Sequence, residues 1–401
     1  MITKRLLLTF AAMMLMGGLS ANDGVYYVSG NQLVPVEETD IAVAKEILTI
    51  EIGDDQFARV NVYYEFYNPG PAKTLTMGFE AMLPYEGSVS ELNPKGVHPY
   101  IHDFTATING KSTPYSTGVV AKRDSEPTDM RPLNMRKWHF GPGDGFQEED
   151  GNTYWDMNES FLTNGTDTID FASCAYYFKA RFKEGKNIVV HSYRYRMSAS
   201  VNYNYAIPYL LTPATRWANH QIDDFTLRIT APKGIRHFLL YNDGFLAAPF
   251  QLVSGKGKMR PRERVEEDFN RSDMLEVYMY NGTLEWKSRN FRPEHELFVF
   301  SGNFYGDAGG IGYDNNSFFQ VDDSLYQAFY GKPAKNDKEK TDLEKRIRRN
   351  LPYAARGYVF NDKNLRAFFE KQWWYTPDPN WKMSTDDFTR YDWDMIESTT
   401  Y

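Results

Sequence analysis

The sequence holds one cysteine, Cys174, in 401 residues. No internal disulfide can form, so the fold must rest on its core, and no cysteine stands near the N-terminus to carry a lipid. Thiol–disulfide chemistry lacks its cysteine pair, and neither a phosphate-cradling glycine loop nor a G-x-S-x-G nucleophile turn occurs. Positive charge is in deficit: 45 Lys and Arg stand against 53 Asp and Glu, a formal charge of −8. Nucleic acid is therefore excluded as a general partner, because phosphate binding needs clustered cations. Beyond residue 21 no apolar run approaches the ~20 residues of a bilayer-spanning helix, so no span is expected in the mature chain. Histidine is sparse too, at seven, and only His98 and His102 are close in sequence. Pro99 between them disfavours a helix, and on a strand they would stand ~13 Å apart, too far to share a metal.

At the N-terminus, Lys4 and Arg5 precede an apolar run from Leu6 to Leu19, and Ser20-Ala21 lead into the polar Asn22-Asp23. This is the three-part build of a secretory signal peptide, assigned to residues 1–21. The expected location is the periplasm, cell surface or extracellular space. Aromatic residues are abundant, with 28 Tyr, 27 Phe and 8 Trp, and such rings suit the pleated, half-buried surface of a strand.

The alternation is clear from about Ile47 to Leu83. Leu48, Ile50 and Ile52 share one face, then Ala58, Val60, Val62, Tyr64 and Phe66 alternate with polar neighbours. After the Asn68-Pro69-Gly70-Pro71 turn, Leu75, Met77, Phe79, Ala81 and Leu83 do the same. The pattern predicts an antiparallel meander with one wet face. A second hairpin is expected from Cys174, Tyr176, Phe178, Ala180 and Phe182, a turn at Glu184–Asn187, and a return strand from Ile188 to Tyr195. Further strands are expected at 225–231, 274–280 and 297–301. Residues 22–330 thus read as an antiparallel β-sandwich body of one large or two small units.

From Gly331 the character changes. A linker at 331–340 leads into a basic amphipathic helix over Lys338–Arg349, with Leu343 and Ile347 four apart. Asp362 is placed to cap a helix carrying Leu365, Phe368 and Phe369, and Ser384 with Asp387 resembles a capping box. Between these lies an aromatic, proline-stiffened loop from Trp373 to Trp381. Its Trp374 and Tyr375 are expected in the core, and Trp373 and Trp381 are the candidates for exposure and binding. Residues 341–401 accordingly read as a small α-helical domain.

The run Arg349-Asn350-Leu351-Pro352-Tyr353-Ala354-Ala355-Arg356-Gly357-Tyr358-Val359-Phe360, with Leu365, Phe368-Phe369 and Trp374-Tyr375-x-Pro377, resembles the YARHG domain of bacterial extracellular proteins. The resemblance spans roughly Lys340 to Ser398. Ala355 and Arg356 stand where the name-giving arginine and histidine would be, which makes Arg356 a further binding candidate. Pro352 is expected to end or kink its helix. The resemblance implies an exported, helical accessory domain without an established enzymatic activity. The N-terminal part is similar, through Asn22-Asp23-Gly24, Gly30 to Val34, Tyr64 to Asn68, Tyr209 to Thr212 and Trp217, to an uncharacterised family of secreted bacterial β-domains.

One further run carries chemistry. Gly141 to Asp170 holds Asp144, Glu148, Glu149, Asp150, Asp156, Glu159, Asp167 and Asp170 and no Lys or Arg. Such a run reads as a solvated loop, as oxygen ligands for calcium at Asp144, Glu148, Glu149 and Asp150, or as a partner for the basic helix. As acid and base it would suit a glycan-degrading enzyme. Calcium is the one cofactor the composition suggests, although the spacing of a calcium loop is absent. The expected protein is an exported, non-enzymatic envelope protein whose C-terminal domain mediates attachment or recognition, with cell-wall glycan or an envelope protein as partner. A glycan-degrading enzyme and a structural subunit of a surface assembly are the alternatives.

Overall fold

In a computed structural model the described residues are 30–31, 34–35, 39–53, 55–81, 101–121, 130–131, 139–140, 146–147, 153–154, 161–163, 166, 168–200, 203–262, 273–301 and 321–397. The principal strands are β1 (Ala42–Ile52), β2 (Phe57–Asn68), β3 (Lys73–Ala81), β4 (Ile101–Ile108), β5 (Thr168–Phe182), β6 (Gly185–Arg196), β7 (Tyr203–Leu210), β8 (Ile222–Tyr241), β9 (Gln251–Arg262), β10 (Met274–Phe291) and β11 (Leu297–Ser301). They make a mainly β body followed by helices.

Most strands form one 12-stranded sheet whose order runs β7-β11-β8-β1-β2-β6-β4, with β10 on β8 and β9 on β10. β5 and β3 belong to a second, 7-stranded sheet. The inner faces of both sheets pack into one core. Phe66 of the large sheet meets Phe182 of the small one edge-on at 5.6 Å, and Phe104 meets Tyr176 at 5.4 Å. The expected inward sets Leu48, Ile50, Ile52 and Ala58 to Phe66 are buried, as are Tyr176, Phe178, Ala180 and Phe182.

The pairing departs from the meander and the hairpin. β2 does not pair with β3, nor β5 with β6; at each turn the chain leaves one sheet for the other. β2 pairs with β6 and β3 with β5, so the two crossovers lie side by side, with Asn68 opposite Gly185 and Lys73 opposite Phe182. Buried asparagines satisfy the backbone there. Asn68 Nδ2 donates to the carbonyls of Pro71 and Lys183 at 3.1 and 3.2 Å. Asn187 accepts from the Lys183 N–H at 2.9 Å and donates to the carbonyls of Lys183 and Gly185 at 2.8 and 3.0 Å. Alternation reports which side of a strand is wet, and a corner between sheets keeps that alternation unchanged.

β8 is the spine of the large sheet. Its first half pairs in parallel with β1, its second half with β11, and nearly its whole length with β10, across an irregularity between Ala231 and Ile235. Beyond that irregularity, antiparallel partners share a face. Ile235, Tyr280 and Lys256 line up, then His237, Tyr278 and Lys258, then Leu239, Glu276 and Arg260. This face seats the helical module.

The module's helices are α1 (Asp323–Tyr330), α2 (Asp337–Ala355), α3 (Lys363–Glu370) and α4 (Arg390–Glu397). Asp322 caps α1 at the Leu325 N–H, and Gly331 at φ 72° ends it. Asn336 caps α2, whose Leu343, Ile347 and Leu351 recur at four-residue spacing and are all buried. Asp362 caps α3 as expected, accepting from Asn364 and Leu365. α1 belongs with these helices and not with the β body, because Tyr326 and Phe329 enter the same core as Leu343, Phe368 and Trp374.

Two helix-end expectations are corrected. α2 runs through Pro352 to Ala355. Pro352 sits in the last turn, where only one helical hydrogen bond is lost, and its own carbonyl accepts from Arg356 Nη1 at 2.9 Å. The capping box of α4 is Thr389 with Asp392, not Ser384 with Asp387: Asp392 accepts from the Thr389 N–H at 2.8 Å and Thr389 Oγ1 from the Asp392 N–H at 3.3 Å. Among the described residues no helix is long and apolar enough to cross a membrane.

Candidate functional site in the C-terminal module

The residues singled out in the sequence converge on the boundary between module and sheet. Arg356 is 1% exposed. Its Nε donates to Asp387 at 3.0 Å, Nη1 to the Pro352 carbonyl and to Asp392 at 3.2 Å, and Nη2 to the Asp387 carbonyl at 3.1 Å and Asp392 at 3.0 Å. Every N–H of the guanidinium is used, and its plane lies over the Phe388 ring at 4.2 Å. As a surface-binding candidate Arg356 is therefore corrected: it ties the end of α2 to the segment before α4. The next residue, Gly357, has φ +90°, and a Cβ there would stand 2.7 Å from the Thr376 carbonyl oxygen. The motif's glycine is thus required by a left-handed turn against the aromatic loop.

That loop is turned toward the sheet. Trp374 and Tyr375 are buried, as expected, and Tyr375 donates to the Tyr358 carbonyl at 2.6 Å. Trp373 is half-buried beneath Arg260, whose guanidinium lies 4.3 Å from its ring, and its ring stands 6.1 Å from that of His237. Trp381 packs edge-on to Tyr358 at 6.0 Å and lies against the Tyr280 phenol. Trp373 and Trp381, the two candidates for exposure, are both half-buried against the body.

The contact is stitched by polar groups. Tyr278, buried in the sheet, donates its hydroxyl to the Ala355 carbonyl, so the motif itself is held by the body. Lys256 pairs with Asp378 of the loop. Behind Trp373, the buried Glu276 is bonded to His237 Nε2 at 2.8 Å and to Arg260 Nε at 2.5 Å. Burial alone would raise the Glu276 carboxyl, but the hydrogen bonds and charges of His237 and Arg260 hold it below its ordinary value. Burial, followed by the Asp387 charge and hydrogen bond, raises the Tyr280 phenol. Burial pushes the Tyr278 phenol far up, so it remains a donor.

The other sequence candidates fall elsewhere. Asp144, Glu148, Glu149 and Asp150, with Asp156, Glu159 and Asp167, lie outside the described residues, as does His98. His102 stacks edge-on with Phe57 at 5.5 Å. Among the described residues no group of three or more His, Cys, Asp or Glu is arranged to hold a metal ion. The cations of α2 have partners near at hand: Lys338 pairs with Asp342, Lys340 with Asp323 and Asp337, and Arg346 with Asp362. What the sequence does not reveal is the seat itself, since Tyr278, Arg260 and Glu276 acquire meaning only through a partner some hundred residues away.

Residues 323–399 match the model of a protein family described as the YARHG domain. No curated protein matches the chain. Among solved structures, a "putative nutrient binding protein" of Legionella pneumophila is similar at 20% identity, covering 94% of this chain and 100% of that one, with a TM-score of 0.48. An M1 zinc metallopeptidase of Deinococcus radiodurans follows at 8% identity, covering 67% of this chain and 43% of that one, with a TM-score of 0.25. None of these likenesses carries an activity or a ligand over to this chain.

Proposed function

We propose that this chain, which carries a YARHG domain at residues 323–399, is an exported, non-enzymatic envelope protein whose C-terminal module serves attachment or recognition. Cell-wall glycan or an envelope protein is the ligand class. The supporting observation is how the module is mounted. Its motif and aromatic loop are spent on the sheet through Tyr278, Arg260 and Lys256, which fixes the module on a large rigid body. Its last segment leaves two large side chains to solvent, with Met383 67% and Trp393 40% exposed. A fixed platform with a wet aromatic rim suits holding a partner.

The surface-assembly alternative is less well supported. β9 pairs only with β10 among the described strands, so its other edge has no strand on it. It carries Lys256, Lys258, Arg260, Arg262 and Pro261, with register shifts at Leu252–Ser254 and Ser254–Lys256. Cations, proline and bulges are the devices that block edge-to-edge strand pairing.

The test is co-sedimentation of residues 22–401 with purified cell-wall sacculi, with reducing ends measured in the supernatant over hours. Binding without release of reducing ends is expected. Steady release would replace the attachment reading with the glycan-degrading one, and failure to sediment would remove wall glycan as the ligand.

A further inference from the structure

The module carries a continuous line of rings on its wet side. Trp381 meets Tyr358 at 6.0 Å, Tyr358 meets Tyr353 at 6.5 Å, Tyr353 meets Phe388 at 5.4 Å and Phe388 meets Trp393 at 5.5 Å. All five are half-buried except Trp393, which is exposed. They come from four separate places: the last turn of α2, the residue after the left-handed Gly357, the aromatic loop, and the stretch entering α4.

Three contacts anchor the belt. Arg356 lies over one face of Phe388, the Tyr358 N–H donates to the Tyr353 carbonyl at 3.0 Å, and Trp381 abuts Tyr280 of the sheet. The belt is thus continuous with the module's seat on the body. A core would have enclosed these rings, as it does Trp374 and Phe369 at 0% exposure.

The charges around the belt narrow its occupant. Asp386, Asp394 and Glu397 are exposed beside it, against Lys382, Arg390 and, one helical turn before Tyr353, Arg349, and Arg390 is itself paired with Asp394. Asp387 and Asp392 are already consumed by Arg356. An anionic lipid surface or phosphate polymer finds no net positive charge here. A neutral glycan needs none: its sugar rings offer apolar C–H faces to aromatic π-faces, and their hydroxyls stay in water.

We propose that the belt Trp381–Tyr358–Tyr353–Phe388–Trp393 is the binding surface for a neutral glycan chain. The inference rests on the attachment reading above and gives that reading its surface. The test titrates the full mature chain with chitohexaose, a neutral glycan, followed by calorimetry and tryptophan fluorescence. Wild type binds; Trp393→Ala weakens binding by about tenfold or more; Trp393→Phe keeps most of it; and Tyr67→Ala, at a distant exposed ring, leaves it unchanged. Trp393 is exposed enough for its replacement to leave the fold intact, which circular dichroism checks. Equal affinity of wild type and Trp393→Ala, or no affinity of wild type for chitohexaose, overturns the proposal. Running the same proteins against sacculi separates the two failures: sedimentation that survives Trp393→Ala removes the belt and keeps attachment, while wild type that stays in solution removes both.

Discussion

A guanidinium taken out of water is tolerated only when its charge is matched and each N–H is bonded, and Arg356 meets both conditions with Asp387, Asp392 and two carbonyls. Arg356→Ala would leave two carboxylates stranded at a buried site, and we expect a loss of about 3–5 kcal/mol, read from urea denaturation. Arg356→Lys should recover little of this, because an ammonium cannot reproduce the planar fork. His191 offers a different kind of test. Buried between Tyr64 and Tyr193, it has its pKa lowered to about 3 by desolvation. The folded state therefore keeps it neutral while the unfolded chain protonates near pH 6.5. Its contribution is undiminished above pH 6.5 and is lost as pH falls toward 3. Between pH 6.5 and 5, before carboxylates titrate, the wild-type urea midpoint should fall, and that of His191→Phe should stay flatter. Neither residue could be placed from its letter alone: the Arg356 partners lie 31 and 36 positions away, and an inward histidine on a strand looks like an outward one shifted by one register.

Strands and helices were largely legible. Alternation located β2, β3 and β6 to within a few residues and the ends of β1 and β5, which begin earlier, at Ala42 and Thr168, than the alternation read from Ile47 and Cys174; β11 was recovered over 297–301, and the cap at Asp362 and the apolar stripe of α2 stand as read. Pairing was not legible. The prolines and glycine of 69–71 bend the chain whether it returns to its own sheet or crosses to the other, and no local chemistry separates the two. What marks the crossovers is the pair of buried asparagines, since a corner leaves carbonyls that only a side chain can satisfy. Asn187→Ala should therefore cost about 2–4 kcal/mol, because several buried backbone groups lose their partner together. Asn187→Asp, which would set a carboxylate against the Lys183 and Gly185 carbonyls at a buried site, should cost at least as much. Denaturant midpoints across the three proteins check the order. At the loop, Arg260→Met removes the cation above Trp373 and one partner of the buried Glu276, so hydrogen exchange should quicken over 373–381 and beside Glu276 in β9 and β10, with β1, β2 and β6 unaffected.

For the whole molecule, the module's core and the sheet are joined through a shared residue, because Tyr278 of β10 packs with Trp374 at 5.8 Å and belongs to the helical core. Truncation at 320 strips the cover from His237, Tyr278 and Tyr280 at once. The truncated body should bind a hydrophobic dye and lose solubility, whereas the full chain should not. Composition had already separated a β body from a helical tail, yet which face of the body met which face of the tail was beyond it. That match depends on side chains from β8, β9 and β10 arriving together, and they do so only after the sheet exists.

The parallel pairing of β1 with β8 has one more consequence, and it concerns time. Ile50 is held beside Ile229, and the two corners join Asn68 to Gly185. Contacts of such long sequence separation make folding slow, since the loops they close must be ordered before the contacts reward it. A chain emerging from its N-terminus has β1 and β2 available long before β6 and β8 exist to cover them. The sheet can therefore close only late in synthesis. On the export reading proposed above, such a delay would keep the chain threadable during translocation.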